Sequence, residues 1–266
     1  MRAISIQHLM APELSPVQLA RLVGELGCQH LCLFTQEPAP DFFVPTVRPA
    51  DLPELRACMA GEGLTAYAVT SFALTPTRDV AGFAEALDLG AALGAIYANV
   101  RVADPDESRA ADSFGQFCAM ARDRGITAGI EFMALDGSDA LERTLRIVAA
   151  AAAGKISLDP LHIVRSGVTP ERLRMIDPAL FGYLQICDGP ATATPEEYMR
   201  EAGADRLPPG EGVFPLGEIM ALVPRDRPVG MEIPRESERA AGVSATERVG
   251  AALAATRRVL ATIDRA

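Results

Sequence analysis

Glycines recur at nearly even spacing through the first half of the chain, each closing a helix-like stretch just before an apolar run. Gly27 precedes CQHLCLF, Gly63 LTAYAV, Gly94 AIYANV, Gly125 ITAGIEF and Gly154 KISLD, at intervals of 36, 31, 31 and 29 residues. A glycine after a helix takes the left-handed cap conformation without a Cβ penalty, so the spacing marks repeated units of helix stop and strand start. AISIQHL near the start, and FGYLQICD and RPVGMEIP later, raise the number of strand candidates to eight. Amphipathic helices fit 16–26, 50–61, 79–93, 106–123, 138–152, 169–177, 195–202 and 244–262. Ala149–Ala153 reads as helix running into the Gly154 cap.

Eight βα alternations predict a closed α/β barrel, the (β/α)8 TIM barrel. A doubly wound open sheet is the structural alternative, but no GxGxxG follows the first strand to support a dinucleotide-binding version. The length of 266 residues, 49% of them hydrophobic, suits one such barrel spanning 1–266 as a single domain. MRAISIQHLM lacks the apolar core of a signal peptide and no later run is long enough for a membrane helix, so a cytoplasmic protein without membrane contact is expected.

Charge and composition narrow the chemistry. A formal charge of −10 disfavours nucleic acid as a partner. Five cysteines, Cys28, Cys32, Cys58, Cys118 and Cys187, have no CxxC spacing and read as free thiols. Lys155 is the one lysine, so any imine mechanism must use it. Its position four residues before Asp159 puts it toward the barrel bottom and argues against that chemistry.

Strands buried on both faces should be nearly continuous apolar runs, so a polar residue near a strand's C-terminal end needs an explanation. Four consecutive strands carry one: Glu131 in GIEFM, Asp159 in ISLDP, Gln185 in YLQIC and Glu232 in GMEIP. Period-two alternation lets all four side chains point inward. Three converging carboxylates would raise one another's pKa unless a cation neutralises them. One divalent metal ion resolves the conflict. Hard oxygen donors suit Mn²⁺ or Mg²⁺, with Co²⁺ and Zn²⁺ also compatible. His8 ends the first strand and is a candidate for lining the pocket, whereas His30 opens the second strand at the opposite end.

With these residues in place, the chain resembles the xylose isomerase-like TIM barrel superfamily, in particular its sugar phosphate isomerases and epimerases. The resemblance rests on GIEFM, SLDPLHIVRSG, LQICDGP, RLPPGEG and GMEIP. It implies the same metal ligands, Glu131, Asp159, Gln185 and Glu232. It also implies proton exchange by Glu131 and Glu232, a substrate-contacting or proton-moving role for His162, and a substrate-binding role for Arg206. Many epimerases of the family have histidine where this chain has Gln185, whereas dehydratases acting on 3-dehydroshikimate are similar to it in using glutamine.

The leading expectation is therefore a metal-dependent isomerase or epimerase of a small polyhydroxylated carbonyl compound, working through an enediolate. A dehydratase or lyase of the 3-dehydroshikimate type is the alternative. Endonuclease IV shares the superfamily but uses a histidine-rich cluster of three zinc ions, which three histidines in the whole chain cannot supply. A glycoside hydrolase would want aromatic platforms, and the chain has no tryptophan and four tyrosines. A barrel that binds a ligand without catalysis would share these features. The partner expected is a small-molecule substrate; a homo-oligomer is left open.

Overall fold

The computed structural model describes residues 2–37, 44–137 and 139–265. Eight parallel strands close into a barrel in chain order: β1 (Ile4–Gln7), β2 (His30–Phe34), β3 (Thr65–Leu74), β4 (Tyr97–Val102), β5 (Thr127–Glu131), β6 (Lys155–Leu158), β7 (Phe181–Ile186) and β8 (Val229–Met231). The helices are α1 (Pro16–Glu25), α2 (Leu52–Glu62), α3 (Ala84–Ala92), α4 (Glu107–Arg122), α5 (Ala140–Ala151), α6 (Pro160–Arg165), α7 (Pro170–Arg174), α8 (Pro195–Gly203), α9 (Leu216–Met220), α10 (Glu236–Ala240) and α11 (Ala245–Ile263). All five spaced glycines have positive φ, from 67° to 81°. Among the described residues, no helix is long and apolar enough to cross a membrane.

Several boundaries move. The expected helix at 79–93 divides into a 3₁₀ turn, Val80–Phe83, and α3. Residues 169–177 supply only the short α7. The helix expected over 138–152 stops at Ala151, where Ala152 takes the left-handed cap conformation, and its first position, Ser138, lies outside the described residues. The short helices α6, α9 and α10 were not foreseen, because five or six residues carry too little periodicity to register.

The barrel interior is closed below the mouth by aromatic rings. Tyr67 and Tyr97 each pack on Tyr183, with centroids 5.7 and 5.3 Å away. Room for these rings comes from glycines on neighbouring strands. A Cβ at Gly129 would overlap the Tyr97 hydroxyl, and one at Gly230 would overlap the Tyr183 hydroxyl. Filled interiors tolerate little added volume, and overpacking costs about 1–3 kcal/mol. Gly129→Ala is therefore expected to lower the melting temperature, and Tyr97→Phe in the same chain should restore part of the loss by removing the clashing oxygen. Failure of the second substitution to help would mean that the strain lies elsewhere.

Candidate metal centre

The four polar strand-end residues reach one mouth through the barrel's stagger. Glu131 pairs in register with Ser157, two residues short of Asp159, and Gln185 pairs with Gly230, two short of Glu232. Tilted strands require such slippage around a closed ring. Asp159 also caps α6, its Oδ1 accepting from the Leu161 amide at 2.8 Å. That helix brings His162 back over the mouth. Ligand atoms of Glu131, Asp159 and His162 all lie within 4.8 Å of one another.

Arg206 is the centre's built-in cation, a position the sequence did not disclose. The loop after α8 pairs with the chain beyond β7 and β8 through the Asp188–Leu207 and Asp205–Arg235 bridges. This crossing inserts a guanidinium that is 2% exposed. Its Nη1 donates to Asp159 Oδ2 at 2.8 Å and to Glu232 Oε2 at 3.2 Å, while Nε and Nη2 donate to the carbonyls of Glu201 and Ala202. Arg206 lines the mouth cavity, as a substrate-binding residue would, while most of its donors are held by protein acceptors and its charge serves the carboxylates.

One guanidinium cannot balance three carboxylates in a buried mouth, so full ionisation of all three is disfavoured. Burial first, then the Glu232 and Asp159 charges, push the Glu131 carboxyl well above the usual range, against Arg206 and Asn99. Burial pushes Glu232 to about 7, with Arg206 opposing and Asp159 adding. Burial alone would also raise Asp159, but Arg206 and His162 hold it below its ordinary value. Burial lowers His162 to about 4 despite Asp159, so its imidazole is neutral near pH 7. Its Nδ1 lies 2.9 Å from the Tyr198 hydroxyl and its Nε2 3.7 Å from Asp159.

Among the buried oxygens that lack a partner in the described residues are Glu131 Oε1, Gln185 Oε1 and, in the same mouth, Gln7 Oε1. The Gln185 amide nitrogen donates to Glu232 Oε2 at 2.6 Å, which assigns the unsatisfied end of that amide to oxygen. Unpartnered buried acceptors and uncompensated negative charge are what a bound cation would satisfy. The donor set fits a divalent metal ion.

A family model described as xylose isomerase-like TIM barrel matches residues 20–259. The chain belongs to this family. Among solved structures, this xylose isomerase-like barrel is similar to a xylose isomerase domain containing protein from Salmonella typhimurium LT2, at 15% identity over 97% of both chains and a TM-score of 0.77. It is also similar to an IolI protein with a bound zinc atom, at 18% identity over 99% of both chains and a TM-score of 0.76. A D-psicose 3-epimerase determined in the presence of D-fructose shares 16% identity over 98% of this chain and 99% of its own, with a TM-score of 0.70. These likenesses concern the fold. No curated protein sequence matches the chain.

The remaining candidates separate by position. His8 does not line the mouth, which corrects the expectation for it. It lies in the turn beyond β1, fully buried, with Nε2 2.8 Å from the Leu14 carbonyl, and strand alternation gives the inward place to Gln7 instead. Gln7 was overlooked because a glutamine one residue before a histidine draws no attention. Arg101 at the end of β4 was overlooked too. It lines the same cavity of about 350 Å³ as Glu131, His162 and Glu232, pairs with Asp136 at 3.2 Å, and has a buried Nε with no partner among the described residues. Lys155 donates to the Ala179 carbonyl before β7, at the far end of the strands. Asp188, which the sequence left out of the site, accepts from the amides of Gly189, Gly210 and Phe214 and so shapes the glycine-rich turn.

Proposed function

We propose that this xylose isomerase-like barrel is a divalent-metal-dependent enzyme that moves a proton next to the carbonyl of a small polyhydroxylated compound, giving isomerisation or epimerisation. The observation that carries the reading is a group of three buried carboxyls sharing one guanidinium, whose ionisation is held back by burial and by one another, beside the unpartnered oxygens of Glu131 and Gln185. Glu131 and Asp159, with His162 beside them, have ligand atoms close enough to share the ion, and Gln185 and Glu232, which contact each other next to them, would complete the set. When bound, a divalent ion supplies Lewis acidity toward substrate oxygens, which acidifies the neighbouring C–H.

Glu131 and Glu232 stand on β5 and beyond β8, three strands apart, and flank the cavity. One carboxylate takes the proton and the other returns it on the opposite side. Arg101 offers a guanidinium to a substrate oxygen or carboxylate at the rim. Apolar side chains, among them Phe34, Met133 and Met199, line part of the cavity and would limit water around a bound substrate. Mn²⁺ or Mg²⁺ is the ion proposed, because oxygen donors predominate.

A second reading, dehydration, is favoured by His162. A neutral imidazole held by Tyr198 over the same cavity can serve as the base while a β-hydroxyl leaves. A screen of polyhydroxylated ketones and hydroxy acids with Mn²⁺ in heavy water separates the two. Deuterium in an isomeric product supports proton return; a product lighter by one water supports dehydration; no turnover and no exchange across the screen would count against both.

Ion binding itself has a pH signature. In the unfolded chain a glutamate ionises near ~4.3, whereas folded Glu232 does so at about 7 and Glu131 well above the usual range. Between those values the folded protein holds extra protons, so these two groups reduce its stability as pH rises from about 4.3 toward 7. A divalent ion relieves that penalty. The melting-temperature gain on adding Mn²⁺ is expected to be larger at pH 8 than at pH 5.5, and an equal gain at both would show that the ion binds elsewhere.

A further inference from the structure

Two short helices at the mouth, α6 and α8, are joined by a matched pair of contacts. His162 and Arg165 stand three residues apart on α6, and Tyr198 and Glu201 three apart on α8, a spacing that puts each pair on one helix face. His162 Nδ1 lies 2.9 Å from the Tyr198 hydroxyl, and Arg165 grips Glu201 with Nε and Nη2 at 2.7 and 2.6 Å. Both side chains of the Arg165–Glu201 pair are mostly buried, so it fixes how α8 sits on α6. His162 and Tyr198 are buried as well, their rings edge to face with centroids 6.0 Å apart.

The groups on either side of His162 decide where its proton lies. A neutral imidazole carries one N–H and one lone pair. Nε2 faces Asp159 Oδ2 at 3.7 Å, a carboxylate oxygen that also accepts from Arg206. That oxygen attracts an N–H and repels a lone pair, so Nε2 is the protonated nitrogen. Nδ1 is then the acceptor and the Tyr198 hydroxyl the donor. The surroundings of Tyr198 agree with this direction. Burial and the Asp159 charge push its ionisation upward, while the Leu135 and Ala134 amides donate to its oxygen and oppose them. These amides open the 3₁₀ turn Ala134–Asp136, which offers them no carbonyl of its own. With its oxygen occupied as an acceptor, the hydroxyl has its proton for His162. At 3.7 Å Nε2 is too far from Asp159 for a direct hydrogen bond, and His162 lines the mouth cavity, so the Nε2 proton is left for an oxygen placed there.

We propose that Tyr198 is a positioning residue that holds His162 in the tautomer presenting Nε2–H to the mouth, where the histidine donates to a substrate oxygen. The inference rests on the mouth as the reaction site and names the group that meets His162: a carbonyl, hydroxyl or enediolate oxygen. A protonated Nε2 neither takes a proton from carbon nor coordinates the ion. His162 therefore stands beside the ion rather than on it. Proton exchange falls to Glu131 and Glu232, which favours isomerisation over dehydration by a histidine base.

The test reads the imidazole nitrogens directly and needs no substrate, so its failure is distinct from failure of the proton-transfer reading. The chain has only three histidines, and nitrogen-15 labelling of them gives a spectrum simple enough to assign His162 by its loss in His162→Gln. In the metal-free protein near neutral pH, His162 is expected to show a protonated Nε2 and an unprotonated Nδ1 displaced by an accepted hydrogen bond. Tyr198→Phe keeps the ring and removes the hydroxyl, and should shift Nδ1 to the position of an unbonded nitrogen. Tyr183→Phe, which removes a different buried hydroxyl below the mouth, should leave both His162 signals in place. Addition of Mg²⁺, a diamagnetic ion, should leave the proton on Nε2. A proton on Nδ1, an Nδ1 signal that Tyr198→Phe does not move, or loss of the Nε2 proton on adding Mg²⁺ would overturn the proposal. The first and last of these are read on the unaltered chain, whatever the stability of the variants.

Discussion

Glu131→Gln and Glu232→Gln are expected to keep substantial metal while losing on the order of 10²–10⁴ in turnover, the range for removing a positioned acid or base. Each substitution retains an oxygen that can face the ion and removes the group that exchanges the proton. A stability readout accompanies the loss. Both carboxyls are buried beside like charges that push their pKa upward, so the neutral amide should raise the melting temperature of the metal-free protein at pH 8. Gain in stability with loss of activity marks a site where charge is kept for function. If both variants bind metal and turn over a substrate at the wild-type rate, the proton-transfer assignment is wrong and His162 becomes the leading base.

Arg206→Met should have the largest effect on folding. It leaves Asp159 and Glu232 buried without the cation that joins them, and breaking a buried ion pair costs about 3–5 kcal/mol. In a chain of this size that corresponds to a fall of roughly 6–20 °C in melting temperature. Saturating Mn²⁺ should recover part of the fall, because it supplies charge to the same carboxylates. A metal-free variant that melts like the wild type would show that Arg206 does not balance them. Arg206→Lys should fall between the two, keeping the charge but not the fork that reaches Asp159, Glu232 and the α8 carbonyls together.

How legible the site was follows from where its information resides. Glu131, Asp159, Gln185 and Glu232 were found because a polar residue interrupting a doubly buried strand costs free energy unless something compensates it, and four successive strands repeated the exception. His162 entered through its place three residues after Asp159 and through the family resemblance; the structure adds the reason, a short helix capped by Asp159 that carries it over the mouth. Gln7 and Arg101 gave no comparable signal: Gln7 was eclipsed by His8 next to it, and an arginine at the end of a strand is common. His8 was misassigned by one step of strand alternation, since the chain turns at once into the 3₁₀ segment beyond β1.

The sequence by itself determined the rhythm of helix stops and strands, hence the closed eight-stranded ring, and the strand ends that carry carboxylates. These are local properties: left-handed caps, period-two alternation and the cost of burying charge act within a few residues. Only the tertiary structure decided that Arg206, 47 residues from Asp159 in the chain, would sit between that carboxylate and Glu232. It also decided that tyrosines would close the barrel beneath them through glycines on neighbouring strands, and that Tyr198 on α8 would meet His162 on α6. Those arrangements depend on stagger, tilt and loop crossings between distant segments, which no local pattern encodes.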